Sequence, residues 1–206
     1  MKFSLGTAQF GMKYGINNLS GQVSFQEIEK IIDLCRFNNI NFIDTAMNYG
    51  NSEEILGKIG VNDFNIITKI PTIPSHEKDI QAWIETKFFN SLNKLNQENV
   101  YGLLIHNSSH LKDKNIDDIY SVMRALKLKG LVKKIGVSLY NPMEFILLHK
   151  KYDFDLIQAP LNLLDQRLVD ADILKFLKKK NIEIHSRSIF LQGLFFMEKE
   201  KLSKSF

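Results

Sequence analysis

Short apolar runs alternate with longer amphipathic stretches along the chain. The runs are Phe3–Leu5, Phe42–Ile43, Ile66–Ile67, Val100–Ile105, Ile135–Val137, Leu156–Ile157 and Ile182–Ile184. They are brief and lack polar alternation, the pattern of strands buried on both faces. Between them, apolar residues recur three and four apart. Ile28, Ile31, Ile32 and Cys35 share one face behind the capping box Ser24-Phe25-Gln26-Glu27. Ile80, Trp83, Ile84, Phe88, Leu92 and Leu95 form a longer stripe. Ile116, Ile119, Met123 and Leu126 form another, which Gly130 stops at a C′ position. Asn141-Pro142 opens a helix over Met143–Lys151, and Ile173, Leu174 and Leu177 face inward in the last complete helix.

Strand–helix alternation predicts parallel strands joined by right-handed crossovers. Seven strands suit either an open doubly wound sheet or most of a (β/α)8 barrel. A dinucleotide-binding open sheet carries G-x-G-x-x-G after its first strand, but here the segment reads Leu5-Gly6-Thr7-Ala8-Gln9-Phe10-Gly11. No Walker sequence occurs either. The expectation is therefore an α/β chain of (β/α)8 TIM-barrel type, forming one domain over residues 1–206.

The residues that close the runs strengthen the barrel reading. The first run ends in Gly6-Thr7, the second in Asp44, the third in Lys69 and the fourth in His106. Ser138 and Gln158 end the fifth and sixth, and the seventh enters His185-Ser186-Arg187. Barrel active sites are built at the C-terminal ends of the strands, so groups distant in sequence converge there.

Composition narrows the classes. The chain has 206 residues, 44% of them apolar, and a net charge of +4. Lys127, Lys129, Lys133 and Lys134, and then Lys178, Lys179 and Lys180, are placed at helix ends, where cations oppose the negative end of the dipole. That reading is preferred to a nucleic-acid patch, since no interleaved aromatics or nucleic-acid motif accompany the lysines. No apolar run is long enough to span a membrane, and the N-terminus does not read as a secretory signal. The single cysteine, Cys35, suits a reducing compartment, so a cytoplasmic location is expected. His106 and His110 are four apart, but the first ends a strand, so no metal site is expected. His76, His149 and His185 are isolated and are expected to be structural or solvent-facing. Ser52-Glu53-Glu54 reads as a helix start carrying favourable acidic charge.

The polar strand ends suggest a reaction. A free phenol, with a pKa near ~10, is a poor acid at neutral pH, and an ammonium beside it makes it a better one. A buried lysine keeps its charge if a carboxylate holds it, and a histidine can orient a carbonyl. Asp44, Tyr49, Lys69 and His106 together suit protonation of a carbonyl oxygen while a cofactor supplies hydride.

In order along the chain, LGTAQFG, INFIDTAMNYGNSEEILG, IITKI, LLIHN, GLVKKIGVS and DLIQAPLNLLD closely resemble the aldo-keto reductase family, from Phe3 to about Gly193. The segment Ile43–Gly57 is the most specific. The resemblance implies that Tyr49 is the general acid/base, Lys69 tunes it, Asp44 pairs with Lys69 and His106 orients the substrate carbonyl. It further implies that Gly6, Thr7, Ser138 and Gln158 hold the nicotinamide end of a reduced dinucleotide, NADPH by family preference with NADH possible, and that no metal is used. The substrate would be a small aldehyde or ketone. A catalytically impaired or regulatory binding protein on the same scaffold is the alternative.

Three departures from the family pattern stand out. Leu139 follows Ser138 where many members carry asparagine. Ser186 is matched to a tyrosine that stacks on the nicotinamide, with Arg187 beside it as a contact for a phosphate or an acidic substrate. No eighth strand follows the seventh before Phe206, which suits a fragment, a shortened enzyme or a barrel completed by another chain. A chain complete at Phe206 is expected to bind dinucleotide weakly. Substrate identity and oligomeric state are left open.

Overall fold

The computed structural model of the chain describes residues 3–107 and 115–198. Seven strands form one sheet: β1 (Leu5–Gly6), β2 (Phe42–Asp44), β3 (Asn65–Ile70), β4 (Val100–Ile105), β5 (Val132–Ser138), β6 (Leu156–Pro160) and β7 (Glu183–Arg187). Each pairs in parallel with the next in sequence, in the order β1-β2-β3-β4-β5-β6-β7. An eighth strand is not seen among the described residues.

The sheet is curled. In a flat sheet, β2 and β6 would lie about 19 Å apart, four spacings of ~4.8 Å. Instead Gln158 Nε2 on β6 donates to Asp44 Oδ1 on β2 at 2.7 Å. The rings of Phe42 on β2 and His185 on β7 meet edge to face at 5.9 Å. These contacts can form only across the inside of a barrel wall.

Strand alternation divides the apolar residues between two cores. Phe42, Ile67, Leu104 and Leu156 pack together inside the wall. Ile43, Ile66, Leu103, Ile135, Val137 and Ile157 face outward into the larger core beneath the helices. Those helices are α1 (Ala8–Gly11), α2 (Phe25–Phe37), α3 (Ser52–Ile59), α4 (Ile80–Leu95), α5 (Ile116–Leu128), α6 (Met143–Leu148) and α7 (Ala171–Lys179). Ser24 caps α2 by accepting from the Glu27 N–H, and Asp79 and Asp170 cap α4 and α7 in the same way. Asn141 Oδ1 accepts from the Met143 N–H at the start of α6. Gly130 follows α5 at φ 74°, as its C′ role requires. Among the described residues, no helix is long and apolar enough to cross a membrane.

Several elements differ from the sequence reading. The first strand is Leu5–Gly6, because its pairing with β2 extends only from Leu5↔Ile43 to Gly6↔Asp44, and Phe3 is exposed. On α7, Ile173 and Leu177 are buried but Leu174 is exposed at the edge of the apolar face. Lys133 and Lys134 are not at a helix end: β5 begins at Val132 and includes both. Lys134 joins a polar group across the barrel interior, pairing with Glu183, which also accepts from Tyr101 Oη at 2.6 Å and from His185 Nε2 at 2.6 Å. Burial opposes ionisation of Glu183, but its hydrogen bonds from Lys134, Tyr101 and His185 and the Lys134 charge hold it down at about 2. Of the two roles expected for His185, structural or solvent-facing, it takes the structural one, tied to this carboxylate in the interior and so not isolated.

Candidate active site

The strands deliver their polar ends to one cavity of about 500 Å³. Asp44, Ser138, Gln158 and Arg187 line it from β2, β5, β6 and β7, and His106 lines it directly after β4. Gly6 and Thr7 close the β1 side, and Tyr49 enters from the turn between β2 and α3. Lys69 lies beneath, 1% exposed on β3.

Lys69 and Asp44 form the base of the site. Lys69 Nζ donates to Asp44 Oδ1 at 2.8 Å, Asp44 Oδ2 at 2.7 Å and the Thr45 carbonyl at 2.8 Å. Burial pushes the ammonium down from its ordinary range, while the charge and hydrogen bonds of Asp44 hold it up. Three acceptors around Nζ match the three N–H groups of a protonated amine, so the pair is ionic. Gln158 adds a fourth tie by donating to Asp44 Oδ1, and Ser138 Oγ donates to Gln158 Oε1 at 3.3 Å.

Tyr49 packs against this base and against His106. Lys69 Nζ stands over the Tyr49 ring, 5.2 Å from its centroid, and the His106 ring meets Tyr49 edge to face at 5.6 Å. With its N–H groups committed below, Lys69 presents charge to the ring face and no hydrogen bond to the phenol. The phenol is accordingly not acidified. Burial pushes it above its ordinary value, the Asp44 charge adds to this, and Arg187 pulls the other way. An ammonium beside Tyr49 is expected to lower it; in the folded chain burial raises the phenol instead, and the Asp44 charge adds to it. Burial and the nearby Lys69 charge bring His106 down to about 4, so its imidazole is neutral at pH 7. Its Nδ1 is buried without a partner among the described residues.

A buried polar scaffold fixes the turn that carries Tyr49. Thr7 Oγ1 donates to the Asp44 carbonyl at 3.0 Å, and Ser52 Oγ donates to Thr7 Oγ1 at 3.0 Å. Thr45 Oγ1 lies 3.3 Å from the Ser52 hydroxyl. Ser52, Thr7 and Thr45 are all fully buried, joining β1, β2 and α3 directly behind the site. Glu53 is buried too, accepting from Thr68 Oγ1 at 2.7 Å and Ser91 Oγ at 2.6 Å; burial pushes its carboxyl up despite these bonds. Only Glu54 behaves as the surface acid expected of a helix start, 3.3 Å from Lys94. A Cβ at Gly11 would overlap the Tyr49 carbonyl oxygen, and one at Gly50 would overlap the Gly11 carbonyl oxygen. Nothing in the sequence announces these contacts except glycine in both LGTAQFG and NYGN.

The remaining candidates separate. Arg187 faces the cavity, its guanidinium 4.5 Å from the Tyr140 ring centroid, with Nη2 donating to the Leu139 carbonyl at 3.1 Å and Nη1 to Ser188 Oγ at 3.2 Å. Ser186 does not reach the cavity. Strand alternation puts it on the opposite face of β7 from His185 and Arg187, where it is exposed. The match of Ser186 to a ring-stacking position is thus one residue out of phase with the strand. Leu139 is fully buried and contributes only its carbonyl. Among the described residues, no group of three or more His, Cys, Asp or Glu could hold a metal ion; His110 lies outside them.

Two of the positions expected to hold a nicotinamide leave room or a donor for it. Open space lies beside Gly6, where an added Cβ would meet nothing within 4 Å. The Gln158 amide keeps one N–H beyond the one given to Asp44, enough to share with a carboxamide.

Comparisons with known proteins agree with this architecture. The model of the aldo/keto reductase family matches residues 2–205. D-arabinose 1-dehydrogenase of Saccharomyces cerevisiae is 27% identical over 164 residues, covering 72% of this chain and 49% of the yeast protein, so the chain spans about half the length of that curated relative. Aldo-keto reductase AKR11C1 from Bacillus halodurans, solved in its holo form, superimposes with a TM-score of 0.78 at 19% identity, over 100% of this chain and 67% of the other. A Bombyx mori aldo-keto reductase solved with NADP gives 0.68 at 20% identity, over 90% and 61%. The chain belongs to the aldo/keto reductase family.

Proposed function

We propose that the site reduces an aldehyde or ketone with a reduced nicotinamide cofactor, NADPH in preference to NADH, and runs in reverse as a dehydrogenase. The observation that carries this reading is the Lys69–Asp44 ion pair beneath Tyr49, with neutral His106 against the same ring. When bound, the cofactor supplies the hydride that no side chain can. Gly6, Thr7, Ser138 and Gln158 are the residues that would hold its nicotinamide end.

Within this reading Tyr49 retains its proton until negative charge develops on the carbonyl oxygen, then donates it. His106 hydrogen-bonds the same oxygen and sets its direction; being neutral, it does not compete as the acid. Lys69 and Asp44 act through Tyr49 as positioning residues, keeping a fixed dipole under the ring. Arg187 contributes the positive charge that favours phenolate once the proton has left.

The raised phenol favours a second reading. A Lys69 that offers Tyr49 no hydrogen bond also suits a binding protein that keeps the pocket and has lost efficient proton transfer. Loss of reduced-cofactor absorbance with a panel of carbonyls, for the parent and Tyr49→Phe, separates the two. Turnover that depends on Tyr49 supports the reductase. Cofactor binding without turnover supports the binding protein.

A further inference from the structure

Glu53 is a buried acid that does not line the cavity. It is 4% exposed and follows Tyr49 by four residues, in the first turn of α3. One of its carboxylate oxygens, Oε1, accepts from two hydroxyls at once, Thr68 Oγ1 at 2.7 Å and Ser91 Oγ at 2.6 Å. Thr68 is on β3 and Ser91 on α4, and both are buried. Thr68 directly precedes Lys69. Strand alternation turns it outward with Ile66 and Ile70, whereas Lys69 turns inward with Ile67. The acid therefore grips β3 from behind, at the residue next to the lysine beneath Tyr49.

The turn that carries Tyr49 is thereby held at both ends. At its start, the Met47 N–H donates to the Lys69 carbonyl at 3.3 Å. At its end, Ser52 ties it to Thr7 beside β1, and Glu53 ties it to β3. We propose that Glu53 is a positioning residue for the proton transfer: its shared oxygen locks α3 to β3 and so holds the Tyr49 ring over Lys69 and against His106. Burying a carboxylate for two hydroxyls costs stability, and replacing all three groups by apolar ones of similar shape is often neutral or better. Stability alone therefore does not call for this acid. What the turn needs is the reach of the side chain to both hydroxyls, rather than its charge. The proposal rests on the reductase reading of the site and adds to it a residue that touches neither cofactor nor substrate.

The test separates reach from charge and from folding. Glu53→Gln keeps the reach and loses the charge, whereas Glu53→Asp keeps the charge and is a methylene too short for both hydroxyls. With saturating reduced cofactor, Glu53→Gln should keep kcat within about threefold, and Glu53→Asp should lower it by about ten- to a hundredfold. Cofactor affinity, followed by fluorescence titration, should be unchanged in both. The triple variant Glu53→Leu/Thr68→Val/Ser91→Ala leaves no polar group unpaired, so it should keep the parental thermal midpoint yet share the low kcat of Glu53→Asp. Parental kcat in Glu53→Asp or in a folded triple variant overturns the proposal. So does a fall in Glu53→Gln at least as large as that in Glu53→Asp, or a loss of kcat that simply tracks the thermal midpoint. A parent protein without turnover removes the reductase reading separately. NMR of the His106 Cε1–H, which feels the Tyr49 ring across 5.6 Å, then judges the positioning alone. A resonance displaced in Glu53→Asp and kept in Glu53→Gln sustains it; one unmoved in Glu53→Asp, or moved alike in both, overturns it.

Discussion

Lys69 Nζ lies over the face of Tyr49, 5.2 Å from the ring centroid, while all three of its donors point to Asp44 and the Thr45 carbonyl. The lysine thus belongs energetically to Asp44 and only sterically and electrostatically to the tyrosine. Removing one member of such a pair strands a buried charge; removing both does not. Asp44→Asn should destabilise the chain by about 3 kcal/mol, and Lys69→Met by a similar amount. The double variant Asp44→Leu/Lys69→Met should cost clearly less than the sum. Urea denaturation midpoints measure this, and strictly additive losses would show that the pair is not coupled.

Tyr49 provides a pH test. Because its phenol is raised above the ordinary value, its proton stays on through the neutral range and beyond pH 10. The ultraviolet difference titration of parent against Tyr49→Phe should show no phenolate signal from this residue below about pH 10. Folded-state protection of that proton also means stability that is full below the unfolded pKa and lost at alkaline pH above it. Turnover should fall by about 10²–10⁴ in Tyr49→Phe if the phenol is the acid. A phenolate appearing near neutrality would contradict this electrostatic picture.

His106 acts at the other end of the scale. Its pKa falls from an ordinary 6.5 to about 4, so it contributes stability above pH 6.5 that drains away as pH falls toward 4. Allowing for its partial exposure, the contribution is about 2 kcal/mol. His106→Gln should flatten the stability profile between those values, as read from thermal midpoints across pH. An unchanged acid slope would place the responsible proton elsewhere.

The Gly11–Gly50 contact should be unforgiving. Neither position has room for a methyl group, and Gly50 also sits at φ 55°, where side chains are strained. Gly11→Ala should cost at least about 2 kcal/mol or shift the Tyr49 turn, lowering kcat more than cofactor affinity. Full activity with parental stability in that variant would show that the two turns can separate harmlessly.

Much of the site was legible because barrel chemistry has a positional rule. A polar residue that ends an apolar run projects at the strand's C-terminal edge, so Asp44, Lys69, His106, Ser138 and Gln158 could be grouped before any contact was known. Ser186 failed the same rule for a local reason. Side chains alternate along a strand, and a one-residue change of phase exchanges Ser186 for Arg187 at the cavity wall. The polar group of Tyr101, Lys134, Glu183 and His185 was not legible, since its members come from three strands and meet only when the sheet curls.

Alternating apolar runs and amphipathic stretches determined the parallel sheet, its helical cover and the edge at which chemistry collects, because those depend on local periodicity and on which faces must be buried. The ionisation of the groups at that edge was decided by tertiary structure alone. A phenol's acidity depends on how deeply it is buried and how close each charge lies, and only the folded barrel buries Tyr49 beside Asp44.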